Sequence, residues 1–599
     1  MDILGKVKKI IWNFFPPESN VERAIRTQYH RFTSTKLFVK WQIYKSKKSY
    51  ESWLQNQEKH KIEERIIFPF QPIFSFFLSL DLLDLDSSIK TIRSIQAQSL
   101  ESWELILFST KNLPTKSQIN QLIGHDQRIK LFIEEVTCLR RFIELSEGDY
   151  IICCSPGDTF EKILVYELVK NINTNPTTEI IYTDVDIQKY KRKKPLAFFK
   201  PEKYSPELHL SINYLSNGLV KKNSAFAQIA KVNPVNDFLL QEWELMFLIC
   251  EKQAEISHIP LVLVHQYRPM IEKRTQEKSI MEAHFRRVGN PHSLQIIQGD
   301  EVHLRWKLSE PSVSIVIPSK NHYLILKMLI DSLFTQTNYK NFEVVIVDNN
   351  SKDYELLSYY TKITKEYPVQ IIPFNEEFNY SKAINLGASA SQSEMLLFLN
   401  NDMEIISPDW LTELVQWTMI PEIGIVGGKL LYKNNTIQHA GIIIGLQGFV
   451  GHLYLHAPDH YFGLLGSVDW YRNVSAVTGA CQMMRRSVFD ELGGYDEKFK
   501  LVFNDIDFCL RAINKGYRNL YTPFAALKHL EGKSRGFTNP RQDLLRGFDV
   551  LDEWISKEDP YFSPNLTYTT IPMCQFGDSQ INKRLEQILE RRKYIPKTD

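Results

Sequence analysis

The two halves of this 599-residue chain repeat one order of strands and helices. In the second half, apolar runs at residues 313–318 and 342–347 flank a helical stretch. In the first half, runs at 73–80 and 103–108 flank a similar stretch. Strands that alternate with helices are typical of α/β domains with a parallel sheet. The repeat therefore predicts two tandem α/β domains, each built on a parallel sheet.

Size and composition agree with that division and exclude several classes of protein. A chain of 599 residues is too long for one hydrophobic core. The formal net charge of +2 indicates no general affinity for nucleic acid. The seven cysteines form no CxxC pair, which argues against a zinc site or a disulfide framework and for a reducing compartment. With no apparent transmembrane segment or secretory signal, we predict a cytoplasmic protein.

Turn and proline signals divide the chain into five segments. We expect an N-terminal helical extension at 1–66, a first α/β domain at 67–278, a linker at 279–310, a second domain at 311–540 and a C-terminal helical tail at 541–599. Pro311 marks the start of the second domain, because proline disfavours a helical conformation in the residue before it. Residues 4–15 are basic and amphipathic, so they form either a helix docked on the protein or a peripheral contact with an anionic membrane surface.

The segment 396–404 most directly indicates chemistry. Four apolar residues end in Asn400, Asn401 and Asp402, as in a buried strand that brings polar side chains to its carboxyl end. Ligands of open α/β sheets bind outside that end. A carboxylate there suits Mg²⁺ or Mn²⁺ held partly by the phosphates of a nucleotide. Asp402 is therefore the best metal-ligand candidate, with a simple Asn-Asn-Asp turn as the alternative.

Further polar residues follow other predicted strands. Asp348 and Asp353 can hydrogen-bond a base or a ribose, or simply end a strand. Asp505 precedes an amphipathic helix, where it can cap the helix or deprotonate an acceptor hydroxyl. His529 is a candidate metal or phosphate ligand, and the alternative is a structural histidine. Gly479 allows either close approach of a ligand to the backbone or tight packing.

The second half resembles the family 2 glycosyltransferases of the GT-A fold. It is most similar to the bacterial rhamnosyltransferase-type enzymes that make O-antigen and other surface polysaccharides. The matching stretches are residues 313–321, 344–353, 378–387, 398–404, 473–481, 493–496 and 503–511. The ordered set covers about residues 311–536, and the stretch 559–566 is similar to the family's ending.

The resemblance implies an inverting transfer of a sugar from a UDP-, dTDP- or GDP-sugar to a hydroxyl of a glycan or lipid-linked acceptor, with Mg²⁺ or Mn²⁺ as cofactor. Asp402 falls on the last acid of the family's DXD metal motif, Asp505 on its general base and His529 near its late histidine. Leu530 replaces a second histidine that is often found there. The resemblance also implies nucleotide-sugar contacts from Pro318, Asn321, Asp348, Asn349, Asp353, Asn379, Asn385, Asn400, Asn401 and Gly479. A lipid-linked acceptor would place the enzyme at the inner face of the cytoplasmic membrane.

The first half resembles the same family more weakly, through residues 181–186, 198–201, 204–208 and 258–260. The stretch 155–157, Ser-Pro-Gly, replaces the DXD acids, while Glu242 stands where Asp505 stands and His265 where His529 stands. We therefore expect a degenerate domain that supports the second domain or binds acceptor glycan. The alternatives are a bifunctional transferase with two active sites and a non-catalytic glycan-binding scaffold.

Overall fold

The computed structural model describes most of both repeated halves. The described residues are 35–57, 68–80, 85–109, 124, 126–133, 139–188, 195–232, 238–267, 277–289, 295–297, 302–307, 309–446, 449–530, 540–555 and 558–568. Residues 4–15, predicted to form either a helix docked on the protein or a contact with a membrane surface, lie outside this set. Within the described parts of the chain, no helix is both long enough and apolar enough to cross a membrane.

A first domain follows the N-terminal helix α1 (Lys36–Gln57). Its elements are β1 (Phe74–Ser79), α2 (Leu85–Gln96), β2 (Trp103–Ser109), β3 (Ile129–Ile133), α3 (Leu139–Leu145), β4 (Tyr150–Cys154), β5 (Thr159–Phe160), α4 (Leu164–Thr174), β6 (Ile180–Ile187), β7 (Leu196–Phe198), α5 (Pro206–Ser211), β8 (Leu219–Lys221), α6 (Lys222–Ile229), α7 (Phe238–Cys250) and β9 (Ile256–Gln266).

The segment predicted as a linker contains α8 (Glu277–Arg287), β10 (Gln295–Ile297) and β11 (His303–Arg305). It is not a simple connection, because Phe285, Leu304 and Trp306 are buried in the same apolar cluster as the core strands of the second domain. Burial of these large side chains stabilises the segment against that domain. The segment therefore belongs to the packed body of the protein.

The second domain begins with the strand that was predicted at 313–318. Its elements are β12 (Val313–Ser319), α9 (Tyr323–Gln336), β13 (Phe342–Asp348), α10 (Tyr354–Glu366), β14 (Val369–Pro373), α11 (Tyr380–Ser389), β15 (Met395–Leu399), β16 (Met403–Ile405), α12 (Trp410–Thr418), β17 (Ile423–Leu431), β18 (Ile437–His439), β19 (Ile442–Ile444), β20 (Val450–His452), β21 (Phe462–Gly463), β22 (Gly466–Ser467), β23 (Arg472–Asn473), β24 (Cys481–Arg485), α13 (Arg486–Glu491), α14 (Asn504–Asn514) and β25 (Arg518–His529). The last described helix is α15 (Arg541–Ile555), and the following residues 558–568 are not helical.

The two sheets have the same strand order, which confirms two tandem GT-A domains. The first runs β3-β2-β1-β4-β8-β6-β9-β5 and the second β14-β13-β12-β15-β24-β17-β25-β16. The expectation of all-parallel sheets is wrong, because β8 and β24 run antiparallel to both of their neighbours. The strand β24 enters the sheet beside the carboxyl end of β15, where Leu399 lies opposite Cys481, so it can only run in the opposite direction.

Buried polar contacts join the two domains. The carboxylate of Glu207 in α5 accepts a hydrogen bond of 2.9 Å from the guanidinium of Arg518 in β25. The Ser205 hydroxyl donates to Asn473 at 2.8 Å, and the backbone N–H of Tyr471 donates to the Ser211 hydroxyl at 2.9 Å. Because these groups are shielded from water, breaking one contact leaves its partner unsatisfied. The contacts hold α5 and the residue before it against β23 and β25.

Helix α1 and the C-terminal segment both attach to the first domain. The Gln57 side chain makes two hydrogen bonds with the backbone of Val262, at 2.9 and 3.0 Å, and the Tyr50 hydroxyl donates to Asp186 at 2.7 Å. The Asn565 amide donates to Asp184 at 3.1 Å. Both ends of the described chain therefore meet at the strands β6 and β9.

Two histidines, one buried and one partly buried, form ion pairs at this junction. His258 lies 3.0 Å from Asp184 and 2.8 Å from Glu202, and His265 lies 2.9 Å from Asp186. Burial alone would lower the pKa of both rings, but the carboxylates outweigh burial and raise the pKa of His258 to about 9 and that of His265 to about 10. Both rings are therefore charged at neutral pH.

The free energy of unfolding should fall as the pH rises above 7. Because both pKa values are higher in the folded state than the ordinary 6.5, the charged rings stabilise the fold fully below about pH 6.5, and this contribution is lost as the pH rises through about 9 and about 10. Urea unfolding between about pH 6 and pH 9.5 measures the effect. A His258→Gln, His265→Gln double variant should be less stable at pH 6 and depend less on pH. Equal pH slopes for the two proteins would contradict the assignment.

Candidate functional site

Two loops meet at the carboxyl end of β15 in the second domain. The backbone N–H of Asn400 donates to the carbonyl of Ala480 at 3.1 Å, which joins the loop after β15 to the loop before β24. Asp402 lies in the first of these loops, and Gly479 lies in the second. The contact therefore brings two groups of predicted site residues, about 80 positions apart in the sequence, next to each other in space.

The Asp402 carboxylate and the His529 ring form the centre of the first group. The short strand β16 pairs with the end of β25 so that Met403 lies opposite His529. That register brings Asp402 Oδ1 to 3.0 Å from His529 Nε2, and both side chains are buried. The Asn400 amide lies 3.4 Å from the same ring nitrogen. The structure therefore brings together the predicted metal ligands Asp402 and His529.

A residue that the sequence did not indicate orients this histidine. Gln438 in β18 places its Oε1 at 2.8 Å from Nδ1 of His529. An amide oxygen only accepts, so with this amide orientation Nδ1 carries the ring proton. The other ring nitrogen, Nε2, then faces the Asp402 carboxylate, so that the two atoms could bind one divalent cation together.

Two further histidines lie close to His529 and contact each other. His439 and His452 approach each other at 2.9 Å between their Nδ1 atoms. Burial, together with the neighbouring His452 and His529, lowers the pKa of His439 well below 6.5. His439 is therefore neutral at physiological pH, and it adds no positive charge that would repel a cation at Asp402.

The second group centres on Asp505, in the first turn of α14. Its Oδ2 accepts a hydrogen bond of 2.7 Å from the backbone N–H of Gly479, while the Gly479 carbonyl accepts one of 2.9 Å from the Tyr380 hydroxyl. A Cβ at position 479 would lie 3.2 Å from the Asp505 Cβ and 3.5 Å from the Tyr380 oxygen. Gly479 thus leaves room beside a partly exposed carboxylate, and Tyr380, which no predicted role included, holds the loop in place.

Asp348 lies at the carboxyl end of β13, as predicted, but its carboxylate already has several donors. It accepts hydrogen bonds from the Ser351 hydroxyl at 2.5 Å and from the Tyr360 hydroxyl at 2.9 Å. Burial and the Asp348 charge raise the pKa of Tyr360, which therefore remains a donor. This network orients Asp348 at the edge of the sheet, and its contact with a nucleotide stays a prediction.

Other predicted donor-site residues have clear structural roles. Asp353 caps α10 by accepting from two backbone N–H groups, and Asn379 caps α11. The amides of Asn349 and Asn385 donate to backbone carbonyls of neighbouring loops. Asn401 lies near Ser319, with 3.5 Å between the amide nitrogen and the hydroxyl. These contacts shape the loops, and contact with a nucleotide sugar stays a prediction for each of them.

The two remaining predicted residues lie at the end of β12. The strand continues through Pro318 to Ser319. It can include the proline because β15 pairs with β12 only as far as Val316, so that Pro318 lies beyond the last hydrogen bonds between these two strands. Asn321 adopts a positive φ of 53° and its side chain accepts from the N–H of Lys352. Both residues lie on the edge of the sheet that also carries Asp348.

The matching strand pairs allow a residue-by-residue comparison of the two domains. In the first sheet Phe160 of β5 lies opposite Val264 of β9, and in the second Ile405 of β16 lies opposite Leu527 of β25. The neighbouring pairs β6–β9 and β17–β25 give the same correspondence, since Val185 also pairs with Val264. The register therefore identifies which residue of the first domain occupies each site position of the second.

By this register, Gly157 occupies the position of Asp402, and Gln266 occupies that of His529. The spacing argument that matched His265 with His529 is wrong by one residue. Because successive side chains of a strand point to opposite faces, that single position turns His265 away from the site and towards the carboxylates of Asp186 and Glu161. The first domain therefore lacks both candidate metal ligands.

Side chains of the first domain occupy the corresponding space. Asn217 donates to Asp158 at 3.0 Å and accepts from Gln266 at 2.7 Å. The Tyr267 ring covers Gly157, where an added Cβ would lie 2.3 Å from a ring carbon. Glu242 accepts from the N–H of Asn217, much as Asp505 accepts from Gly479, but Glu242 is only 1% exposed.

Two relatives match most of this chain. The "O-antigen biosynthesis protein RfbC" of Myxococcus xanthus is 30% identical over 499 residues, which cover 80% of this chain and 39% of that protein. The "Uncharacterized protein y4gI" of Sinorhizobium fredii is 30% identical over 517 residues, which cover 80% of this chain and 56% of that protein. The chain thus spans about half or less of the length of these relatives.

Solved structures are similar over less than half of the chain. The structure of S. aureus TarS 1-349 in complex with UDP-GlcNAc is 15% identical with a TM-score of 0.33, covering 48% of this chain and 74% of that one. A TM-score this low carries no argument about the fold, which is identified from the order of strands in the two sheets and from the sequence relatives. The family model of glycosyl transferase family 2 matches residues 314–493, which include every predicted site residue except Asp505 and His529. The second domain is therefore similar to glycosyl transferase family 2 over most of its length.

Proposed function

We propose that the second domain is an inverting, metal-dependent glycosyltransferase of surface-polysaccharide synthesis. It would transfer a sugar from a UDP-, dTDP- or GDP-sugar to a hydroxyl of a glycan or lipid-linked acceptor. The name of the Myxococcus relative, which refers to O-antigen biosynthesis, supports the product class. A lipid-linked acceptor would place the protein at the inner face of the cytoplasmic membrane. The observation that carries the proposal is the Asp402–His529 pair at 3.0 Å, linked through Asn400 and Ala480 to the loop that holds Asp505.

In this mechanism Asp505 acts as the general base. Its carboxylate accepts the proton of the acceptor hydroxyl while that oxygen attacks the anomeric carbon of the donor sugar. The bond between the anomeric carbon and the diphosphate breaks on the opposite side, which inverts the configuration. Gly479 fixes the carboxylate through its N–H and leaves space for the acceptor, because it carries no side chain.

Asp402 and His529 would hold Mg²⁺ or Mn²⁺. Bound there, the cation stabilises the negative charge that develops on the departing diphosphate. Asn400 lies close enough to His529 to contribute an amide oxygen or to orient the ring. A site of two or three protein ligands suits these cations, since phosphate oxygens and water supply the remaining ligands.

The first domain would be a degenerate transferase domain. Gly157 and Gln266 provide no charge for a cation, and Tyr267 covers the position where a carboxylate would stand. These features argue against the bifunctional alternative. The Asp402–His529 pair and the partly exposed Asp505 argue against the other alternative, a non-catalytic scaffold with two inactive domains.

Donor turnover tests the metal site. The purified chain is incubated with a panel of UDP-, dTDP- and GDP-sugars, with Mn²⁺, Mg²⁺ or EDTA, and nucleotide release is measured in parallel with donor binding. We expect one nucleotide class to bind and turn over only with a divalent cation, and Asp402→Ala to abolish release because the diphosphate loses its counter-charge. Release that persists in EDTA would contradict metal dependence.

Substitution of the general base separates the two domains. Asp505→Asn should lower kcat by about 10²- to 10⁴-fold with little change in donor affinity, because the amide cannot accept the proton. The matched control is Glu242→Gln, which removes the corresponding carboxylate of the first domain and should leave kcat unchanged. Loss of activity in Glu242→Gln with an intact fold would instead favour the bifunctional enzyme.

Gln438 provides a test of the histidine orientation. Gln438→Leu should weaken Mn²⁺ binding by about 10- to 100-fold, because His529 loses the partner that keeps its proton on Nδ1. Gln438→Glu restores an acceptor at the same place and should retain most of the affinity. Electron paramagnetic resonance of free Mn²⁺ measures both without any substrate. Equal affinities for the wild type and Gln438→Leu would show that Gln438 does not position His529 for metal binding.

A further inference from the structure

Three large apolar side chains are exposed on successive turns of α1. Leu37 is 81% exposed, Trp41 47% and Tyr44 65%. At 3.6 residues per turn, these positions lie within about 60° of one another around the helix axis. They form a continuous stripe about 10 Å long, which we call the α1 stripe. Isolated exposed apolar residues are common, but a stripe of three along one helix is a feature of binding surfaces.

The stripe lies opposite the face by which α1 attaches to the protein. Tyr50 and Gln57 hydrogen-bond to β6 and β9, and Trp53 packs edge-on against Phe199 at 5.4 Å between ring centroids. These residues lie about 160–220° around the helix from Leu37. The helix is thus anchored through one face, and the α1 stripe points outwards on a fixed support.

The charge of α1 indicates what the stripe contacts. The 22-residue helix contains five lysines and one glutamate, whereas the whole chain has a formal net charge of only +2. One of the lysines, Lys40, is exposed beside the stripe. A lysine-rich helix with leucine, tryptophan and tyrosine on its outer face is typical of segments that lie in the interface of an anionic bilayer. Tryptophan and tyrosine suit that interface, since each combines an apolar ring with a polar group.

We propose that the α1 stripe is a docking surface for an anionic lipid bilayer. Leu37, Trp41 and Tyr44 insert among the lipid headgroups, and the helix lies parallel to the membrane plane. The net positive charge of the α1 sequence, with Lys40 exposed beside the stripe, contributes electrostatic attraction to acidic headgroups, which falls as the ionic strength rises. The inference goes beyond the proposed glycosyl transfer and does not depend on it, because binding to lipid requires neither donor nor metal.

Vesicle co-sedimentation of the 599-residue chain tests this surface. The probes are vesicles of pure phosphatidylcholine and vesicles that contain about one-third phosphatidylglycerol. We expect binding to the anionic vesicles only, and weaker binding at high salt. A triple variant, Leu37→Ser, Trp41→Ser, Tyr44→Ser, should reduce the partition coefficient by about tenfold or more. Leu37 and Tyr44 are mostly exposed, and Trp41 also packs against Phe38 at 5.7 Å between ring centroids, so a double variant, Leu37→Ser, Tyr44→Ser, that should keep the wild-type unfolding curve is measured beside the triple variant.

A matched variant distinguishes the stripe from general surface hydrophobicity. Phe226→Ser, Val288→Ser, Leu357→Ser removes three apolar side chains of similar exposure elsewhere and should bind vesicles as the wild type does. The proposal is wrong if the chain does not bind anionic vesicles, or if both triple variants bind equally. It is also wrong if the stripe variant changes the oligomeric state in sedimentation velocity, which would identify the stripe as a contact between two copies. Nucleotide release by the stripe variant, measured with a soluble acceptor, keeps failure of lipid docking distinct from failure of catalysis.

Discussion

The pairing of the short strand β16 with the end of β25 is the constraint on which the site depends. Three residue pairs place Asp402 beside His529, two side chains that are 127 positions apart in the chain. A shift of one residue would turn either side chain to the opposite face of its strand. The register is set in turn by β17, which pairs with β25 over most of its length. The chemistry of the site therefore rests on the packing of the sheet and not on loop geometry alone.

The same pairing shows how two domains of one fold differ at this place in the sheet. Both domains have the same strand order, and β5 pairs with β9 as β16 pairs with β25. In the first domain, a glycine and a glutamine occupy the positions of the two candidate ligands. Tyr267 and Asn217 occupy the space that these changes leave. The architecture persists without the site because the core strands are stabilised by apolar burial, to which the site residues contribute little.

The first domain also has a structural role. Its strands β6 and β9 receive both α1 and the C-terminal segment, and its helix α5 makes a buried ion pair with β25. The strand β25 carries His529 at its end. The first domain thus helps to fix the strand on which the candidate site of the second domain depends. It also presents the outer face of α1 at a defined place on the surface.

Most of the architecture and part of the site could be predicted from the sequence. The buried strands were predicted closely, because both faces of β12, β13 and β15 are covered and the strands are nearly continuous apolar runs. The polar ends of these strands identified Asp348 and Asp402. The antiparallel insertion of β24 was not predictable from alternation alone, since apolar runs carry no information about direction. Gln438 and Tyr380 gave no signal, because each acts on a residue that is about 90 to 100 positions away.

The sequence by itself determined the tandem repeat, the fold class and the residue types available at the carboxyl ends of the strands, because these follow from local patterns of apolar and polar residues. Only the tertiary structure decided which of those residues meet. It paired His529 with Asp402, assigned Gln266 rather than His265 to the equivalent position, and turned Leu37, Trp41 and Tyr44 outwards. Each of these outcomes depends on strand register or on the packed face of a helix, and long-range packing sets both.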